Sequence, residues 1–158
     1  MELATVEYRP GRIEELADFG DFWLAMFEEI GILHERDMAP DWRARFARYL
    51  ELRIAGGEAQ FFVAHDGERV VATAGALIAD GYPFVVHAIK RGYIFGVRVA
   101  PEFRKRGIAE RLTAQCVEFL HGAGCVRVRL HASPFGRPIY ERMGFQPTNE
   151  MDIIRPQA

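Results

Sequence analysis

Val97-Arg98-Val99-Ala100-Pro101-Glu102-Phe103-Arg104-Lys105-Arg106-Gly107-Ile108-Ala109 is the stretch that decides how the rest of the chain is read. Its β-branched start reads as a strand end and Pro101 as a turn. Arg104 to Arg106 form a basic loop, and Gly107 opens an amphipathic helix. A helix N-terminus carries N–H groups with no intrahelical partner, and its aligned peptide dipoles add about half a positive charge there. Gly107 and Ala109 bring little or no side chain, so a phosphate group can approach the backbone. Alone, the charged triplet would read as a solvated surface run; between Pro101 and Gly107-Ile108-Ala109 it reads as a phosphate site.

Outward from this stretch, hydrophobic spacing predicts the remaining elements. Thr5–Arg9 alternates and ends at Pro10-Gly11, a short strand. Arg12 to Ile30 places Ile13, Leu16, Phe19, Trp23, Phe27 and Ile30 at helical spacing, and a second helix runs from Pro40 to Ile54. Gln60–His65 and Arg69–Ile78 flank Asp66-Gly67, a hairpin signal. A loop at residues 80–91 precedes a strand over Gly92–Val99. Then come a helix over Ile108–Gly122 and a strand over Val126–His131. A short helix follows, capped by Ser133 with Pro134 at its first position, and a last strand is expected over Asn149–Arg155. The order β-α-α-β-β-β-α-β-α-β predicts an α/β fold, a mixed sheet with helices on both faces.

Bulk properties narrow the function. A length of 158 residues predicts one domain spanning residues 1–158. With 49% hydrophobic and 27% charged residues, the chain reads as an ordinary globular protein. A net charge of −2 argues against broad nucleic-acid binding. Cys116 and Cys125 fit no metal pattern and no disulfide framework, so free thiols in a reducing cytosol are expected and no metal is. No stretch approaches the ~18 apolar residues of a membrane span, and the N-terminus lacks a signal-peptide pattern. The expected location is cytoplasmic.

Two segments carry a family resemblance. The spacing R-x-x-G-x-A over Arg104–Ala109, after a V-x-V-x-P strand end, resembles the pyrophosphate loop of the GNAT acetyltransferase superfamily. Downstream, Tyr140-Glu141-Arg142-Met143-Gly144-Phe145 resembles its later Y-E-x-x-G-F block, and the order and separation also match. The likeness covers roughly residues 60–155 and points to a bacterial branch whose substrates are mostly unassigned. It departs at Ala109, where many relatives have Gly, and at Ser133, where many have Asn.

The resemblance implies a mostly antiparallel sheet with one splayed parallel strand pair, and acetyl-coenzyme A as the acyl donor. Loop residues Arg104, Lys105, Arg106, Gly107, Ile108 and Ala109 would hold the diphosphate. The backbone around Val97, Arg98 and Val99 would pair with the pantetheine arm or donate to the oxyanion, and Ser133 would add a polar contact. Tyr140 would protonate the leaving thiolate. An alkyl amine has a pKa of about 10 in water, so a base must take its proton; His131 and Glu150 are candidates. Glu28, Glu29 and His34, with Glu35, lie where the family often walls its acceptor pocket. The expected acceptor is an amine of a small molecule or peptide, attacked directly, with no nucleic-acid or membrane partner. A homodimer is common in the superfamily. A longer acyl group, an oxygen acceptor and a non-catalytic coenzyme A sensor stand as alternatives.

Overall fold

The computed structural model describes residues 5–80 and 90–156. Strands β1 (Glu7–Pro10), β2 (Ala59–Asp66), β3 (Arg69–Asp80), β4 (Lys90–Val99) and β5 (Cys125–Leu130) form one sheet in the order β1-β2-β3-β4-β5. Neighbours run antiparallel except β4 and β5, which are parallel. Helices α1 (Leu16–Glu29) and α2 (Trp42–Ala55) precede β2, α3 (Ile108–Gly122) joins β4 to β5, and α4 (Arg137–Arg142) follows. This is the expected mixed α/β architecture.

Each face of the sheet is covered by a separate helical layer. Phe61 and Val63 of β2 pack with Leu16 and Phe19 of α1 and Leu50 of α2. Their neighbours Phe62 and Ala64 join Leu112, Cys116 and Leu120 of α3 on the opposite side. The period of two in a strand sends alternate residues to the two cores. Ala72, Ala74 and Ala76 of β3 form a small-residue stripe in the α3 core, so that helix lies close to the sheet.

The α1 core is built on Phe19. Its ring stacks on Phe61 with centroids 5.1 Å apart. Gly75 and Gly96 make room for it: a Cβ at either would lie 2.6 Å from a Phe19 ring atom. Gly96 also has φ +62° and sits in a bulge, because Gly75 faces Phe95 while Thr73 faces Arg98. The buried Thr73 hydroxyl donates to Gly96 O at 2.9 Å and fixes this bend.

Several local expectations shift. The hairpin pairs Asp66 with Arg69, so its two turn residues are Gly67, at φ +60°, and Glu68. α4 begins at Arg137 rather than Pro134, because Ser133 Oγ accepts the Gly136 N–H at 3.1 Å and closes a separate turn first. The loop expected at 80–91 is strand at its flanks, and 81–89 lie outside the described residues. The last strand does not form: residues 145–156 are irregular, with Met151 and Ile153 95% and 97% exposed. β5 is an edge strand of the sheet, yet residues 149–155 form no ladder with it; Glu150 reaches it through an ion pair with Arg129 at 3.1 Å. Among the described residues no helix is long and apolar enough to cross a membrane.

Candidate active site

The β4–β5 ladder runs from Lys90↔Cys125 to Ile94↔Leu130 and stops, while β4 continues to Val99. The open edge of β4 borders a cavity of about 1660 Å³. On one side the cavity is walled by the loop before α3 and by Ser133–Gly136 and Tyr140; on the other, by Trp23, Phe27 and Phe46 of the α1/α2 layer. Ala100 N–H donates to Val71 O at 2.8 Å, on the β3 side. Strand alternation therefore turns the backbone of Arg98 to β3 and that of Val97 and Val99 to the open edge.

The loop before α3 has the geometry its sequence suggests. Lys105 and Gly107 both adopt positive φ, 62° and 76°. The first α3 bond is made by Arg111 N–H to Gly107 O at 3.1 Å. Ahead of it, the amides of residues 105–110 have no hydrogen-bond partner among the described residues. A Cβ at Gly107 would meet no atom within 4 Å, so the space over these amides is open. Successive free amides at a helix start make an anion-binding concavity. That cradle and the stretch of β4 edge beyond the β5 ladder fit a diphosphate followed by an amide-bearing arm.

Glu29, at the end of α1, ties the two halves of the wall together. Arg98 Nη2 lies 2.6 Å from its Oε1, and Arg104 Nη2 lies 3.0 Å from both carboxylate oxygens. Arg104 Nε also donates to Val99 O at 3.0 Å. Partial burial pushes the Glu29 carboxyl up, but the hydrogen bonds and charges of Arg98 and then Arg104 outweigh it and hold it below the usual range.

Three tyrosines, Tyr49, Tyr93 and Tyr140, line the cavity. Tyr140 is 8% exposed, and its ring fits against Gly136, where a Cβ would lie 2.9 Å from Tyr140 Cε2. Its hydroxyl has no partner among the described residues. Burial, with a smaller contribution from Cys116, pushes its pKa up to about 12. Tyr93 of β4 hydrogen-bonds His131, just beyond β5, with Oη and Nδ1 2.5 Å apart. Burial raises the Tyr93 phenol against the opposing charge of Arg129.

Of the residues singled out from sequence, Val97, Arg98, Val99, Arg104, Lys105, Gly107, Ile108, Ala109, His131, Ser133, Tyr140 and Glu29 line the cavity. Arg106 does not; it turns back to Glu102 O at 3.1 Å and over the Phe103 ring. Glu28 accepts from the Glu35 amide at 3.1 Å, and the His34 amide donates to Asp37 at 3.0 Å, both away from the cavity lining. Glu150 is held by Arg129 and Arg91 and is also absent from the lining. Sequence reasoning missed Tyr93, which read only as a strand residue. Its inward face follows from register, which the spacing alone does not give.

Comparison with known proteins follows the same lines. The Acetyltransferase (GNAT) family profile matches residues 22–145. A GCN5-related N-acetyltransferase from Ralstonia eutropha JMP134 is 31% identical, covers 96% of this chain and 99% of its own, and superposes with a TM-score of 0.82. The "predicted acetyltransferase with acetyl-CoA" of Clostridium acetobutylicum shares the fold, with a TM-score of 0.84, 22% identity and 96% of each chain covered. A glucosamine 6-phosphate N-acetyltransferase from Trypanosoma brucei brucei is 30% identical over 94 residues, which are 60% of this chain. The match spans 63% of that relative's length. With the family profile covering most of the sequence and the same fold behind it, this chain belongs to the GNAT acetyltransferase family.

Proposed function

We propose that this protein transfers an acetyl group from acetyl-coenzyme A to a primary amine. The observation that carries this is the parting of β4 from β5 after Ile94↔Leu130, beside the free amides of residues 105–110. When bound, the donor supplies an acetyl group already activated as a thioester. The amides of 105–110 hold its diphosphate, and Arg104 and Lys105 add positive charge at the rim. The Val97 and Val99 backbones hold the amides of its arm along the open β4 edge, as an added strand would be held.

The side chains at the parting then handle protons. The attacking amine must lose one, and His131, braced by Tyr93, receives it directly or through water. Tyr140 holds its own proton at Oη and donates a hydrogen bond to the leaving sulfur. A phenol pushed to about 12 is protonated at every working pH, so this donor is always present. Neither cysteine takes part: Cys116 is fully buried and burial raises both thiols, which disfavours the nucleophilic thiolate.

The test is thiol release from acetyl-coenzyme A in the presence of an amine panel. Amine-dependent release is the expected result. Calorimetric binding of acetyl-coenzyme A with no release for any amine would make the protein a coenzyme A sensor instead. No binding at all would remove both readings.

A further inference from the structure

The wall of the cavity beyond the β4 edge has a composition that selects among amines. Trp23, Met26 and Phe27 project from successive turns of α1, and Phe46 and Tyr49 from α2. Each of the four at positions 23, 26, 27 and 46 is half-buried, so part of each side chain packs and part faces the cavity. The packed parts are held by one another: Trp23 lies 5.0 Å from Phe27 and 5.4 Å from Phe46 between ring centroids, with Trp42 behind at 5.9 Å. The rings brace one another in one continuous aromatic surface.

Charge on this side is already matched. Glu29 is the carboxylate that lines it among the described residues, and both its oxygens are taken by Arg98 and Arg104. Glu110 also lines the cavity, but from the first turn of α3 beside the anion cradle. A polycation entering the aromatic side meets no unpaired carboxylate among the described residues that line it. A polyhydroxylated or phosphorylated sugar would desolvate its polar groups against rings that return few hydrogen bonds, which is unfavourable. An apolar body loses nothing there and gains ring contact.

We propose that the acceptor is a primary amine carried on an aromatic or comparably bulky apolar body, seated against Trp23, Phe27 and Phe46 with its nitrogen directed to the Tyr93–His131 pair. This rests on the acetyl-transfer reading above. It sets this chain apart from an aminosugar phosphate acceptor.

The test uses the full chain with acetyl-coenzyme A and four acceptors: 2-phenylethylamine, tryptamine, glucosamine 6-phosphate and spermidine. Thiol release gives kcat/KM. Tryptophan emission, read with 2-phenylethylamine, reports occupancy without turnover, because Trp23 lines the seat. Aryl amines are expected to exceed the other two by about 10-fold or more in kcat/KM and to change the emission saturably. Tyr49→Ser, at a half-exposed ring, is expected to raise the KM for 2-phenylethylamine about 3-fold or more while kcat and acetyl-coenzyme A affinity hold. Emission change without thiol release would keep the seat and remove the transfer reading. Equal or better use of glucosamine 6-phosphate or spermidine would overturn the seat and keep the transfer reading. Absence of both emission change and thiol release with an aryl amine would overturn the proposal.

Discussion

Tyr93 Oη and His131 Nδ1 lie 2.5 Å apart, and their rings meet edge to face with centroids 5.5 Å apart. Tyr93 is paired with Arg129 on the next-to-last rung of the β4–β5 ladder, and His131 follows Leu130 of the last rung. The bond therefore bridges the strands where they separate. It orients an imidazole whose own strand has ended and whose backbone no longer fixes it. His131→Gln is expected to lower kcat about 10²-fold with little change in acetyl-coenzyme A affinity. Tyr93→Phe, which leaves the imidazole in place without its brace, is expected to lower kcat less. If both variants lost stability and kept kcat, the pair would be a strand clip and the proton acceptor would lie elsewhere.

Gly107 is the position where backbone and ligand demands coincide. Its φ of +76° favours glycine, and the space over it is open. Gly107→Val puts a branched side chain where the diphosphate approaches, and forces a β-branched residue into the left-handed region at a cost of about 1–2 kcal/mol. The expected result is loss of acetyl-coenzyme A binding by calorimetry, at least about 10²-fold, against a modest fall in Tm. Gly107→Ala should show the backbone cost with a smaller binding loss, separating the two effects.

Tyr140→Phe tests the proton donor. The expected signature is a fall in kcat of about 10-fold or more with the KM for acetyl-coenzyme A nearly unchanged, the mark of an interaction used in the transition state. The raised pKa also has a stability consequence. The folded phenol keeps its proton to about 12, whereas the unfolded one releases it near its ordinary value of 10.0. Between these values the unfolded chain binds fewer protons, so stability falls as pH rises through this window and is fully present below it. Denaturant melts at about pH 8 and about pH 11 should show a smaller alkaline loss in Tyr140→Phe than in the parent protein.

How far the fold was legible depends on whether a pattern carried its own partner. The 97–109 stretch did: its strand is stopped by Pro101 and its helix started by Gly107, and α3 spans Ile108–Gly122 as its spacing predicts. Residues 149–155 alternate as well as several true strands do, yet form none beside the edge strand β5, because alternation says which side chains share a face and not whether the backbone pairs. In the site, the anion cradle was legible because it is local. Tyr93–His131 and Glu29–Arg98–Arg104 join residues 38, 69 and 75 positions apart, and only register brings them together. For Glu150 the sequence leaves two roles open, the pocket or an arginine partner, and the structure pairs it with Arg129 and Arg91.

Phe19 and the two glycines beside it set the shape of the α1 layer. Gly75→Ala brings a methyl to 2.6 Å from Phe19 Cζ and 2.8 Å from Phe95 Cε1, contacts that real atoms do not tolerate. Overpacking of this kind costs about 1–3 kcal/mol. Phe19→Leu alone leaves a cavity and also destabilises. In the double variant the smaller side chain relieves the Phe19 contact while the Phe95 contact at 2.8 Å stays, so the combined loss should be somewhat less than the sum of the two. Additive losses would mean that the contact with Phe95, and not that with Phe19, sets the cost of the methyl.

Glu29 competes with the anionic donor for Arg104. In the free protein both carboxylate oxygens are within 3.0 Å of the Arg104 guanidinium, and Arg98 holds the same group. Binding a diphosphate at residues 105–110 draws Arg104 toward it and weakens its hold on Glu29. Glu29→Gln removes that competition, so acetyl-coenzyme A should bind several-fold more tightly, with a steeper salt dependence because one more cation faces the ligand. The acid side moves the other way. Because the arginines hold the Glu29 carboxyl below its ordinary value, the pair contributes stability at neutral pH that is lost as pH falls through the lowered folded value. Glu29→Gln should therefore lose stability near neutral pH relative to the parent and converge with it in acid. Unchanged affinity together with unchanged acid behaviour would mean that the three-way contact holds nothing in solution, and that α1 meets the donor loop through its apolar side chains alone.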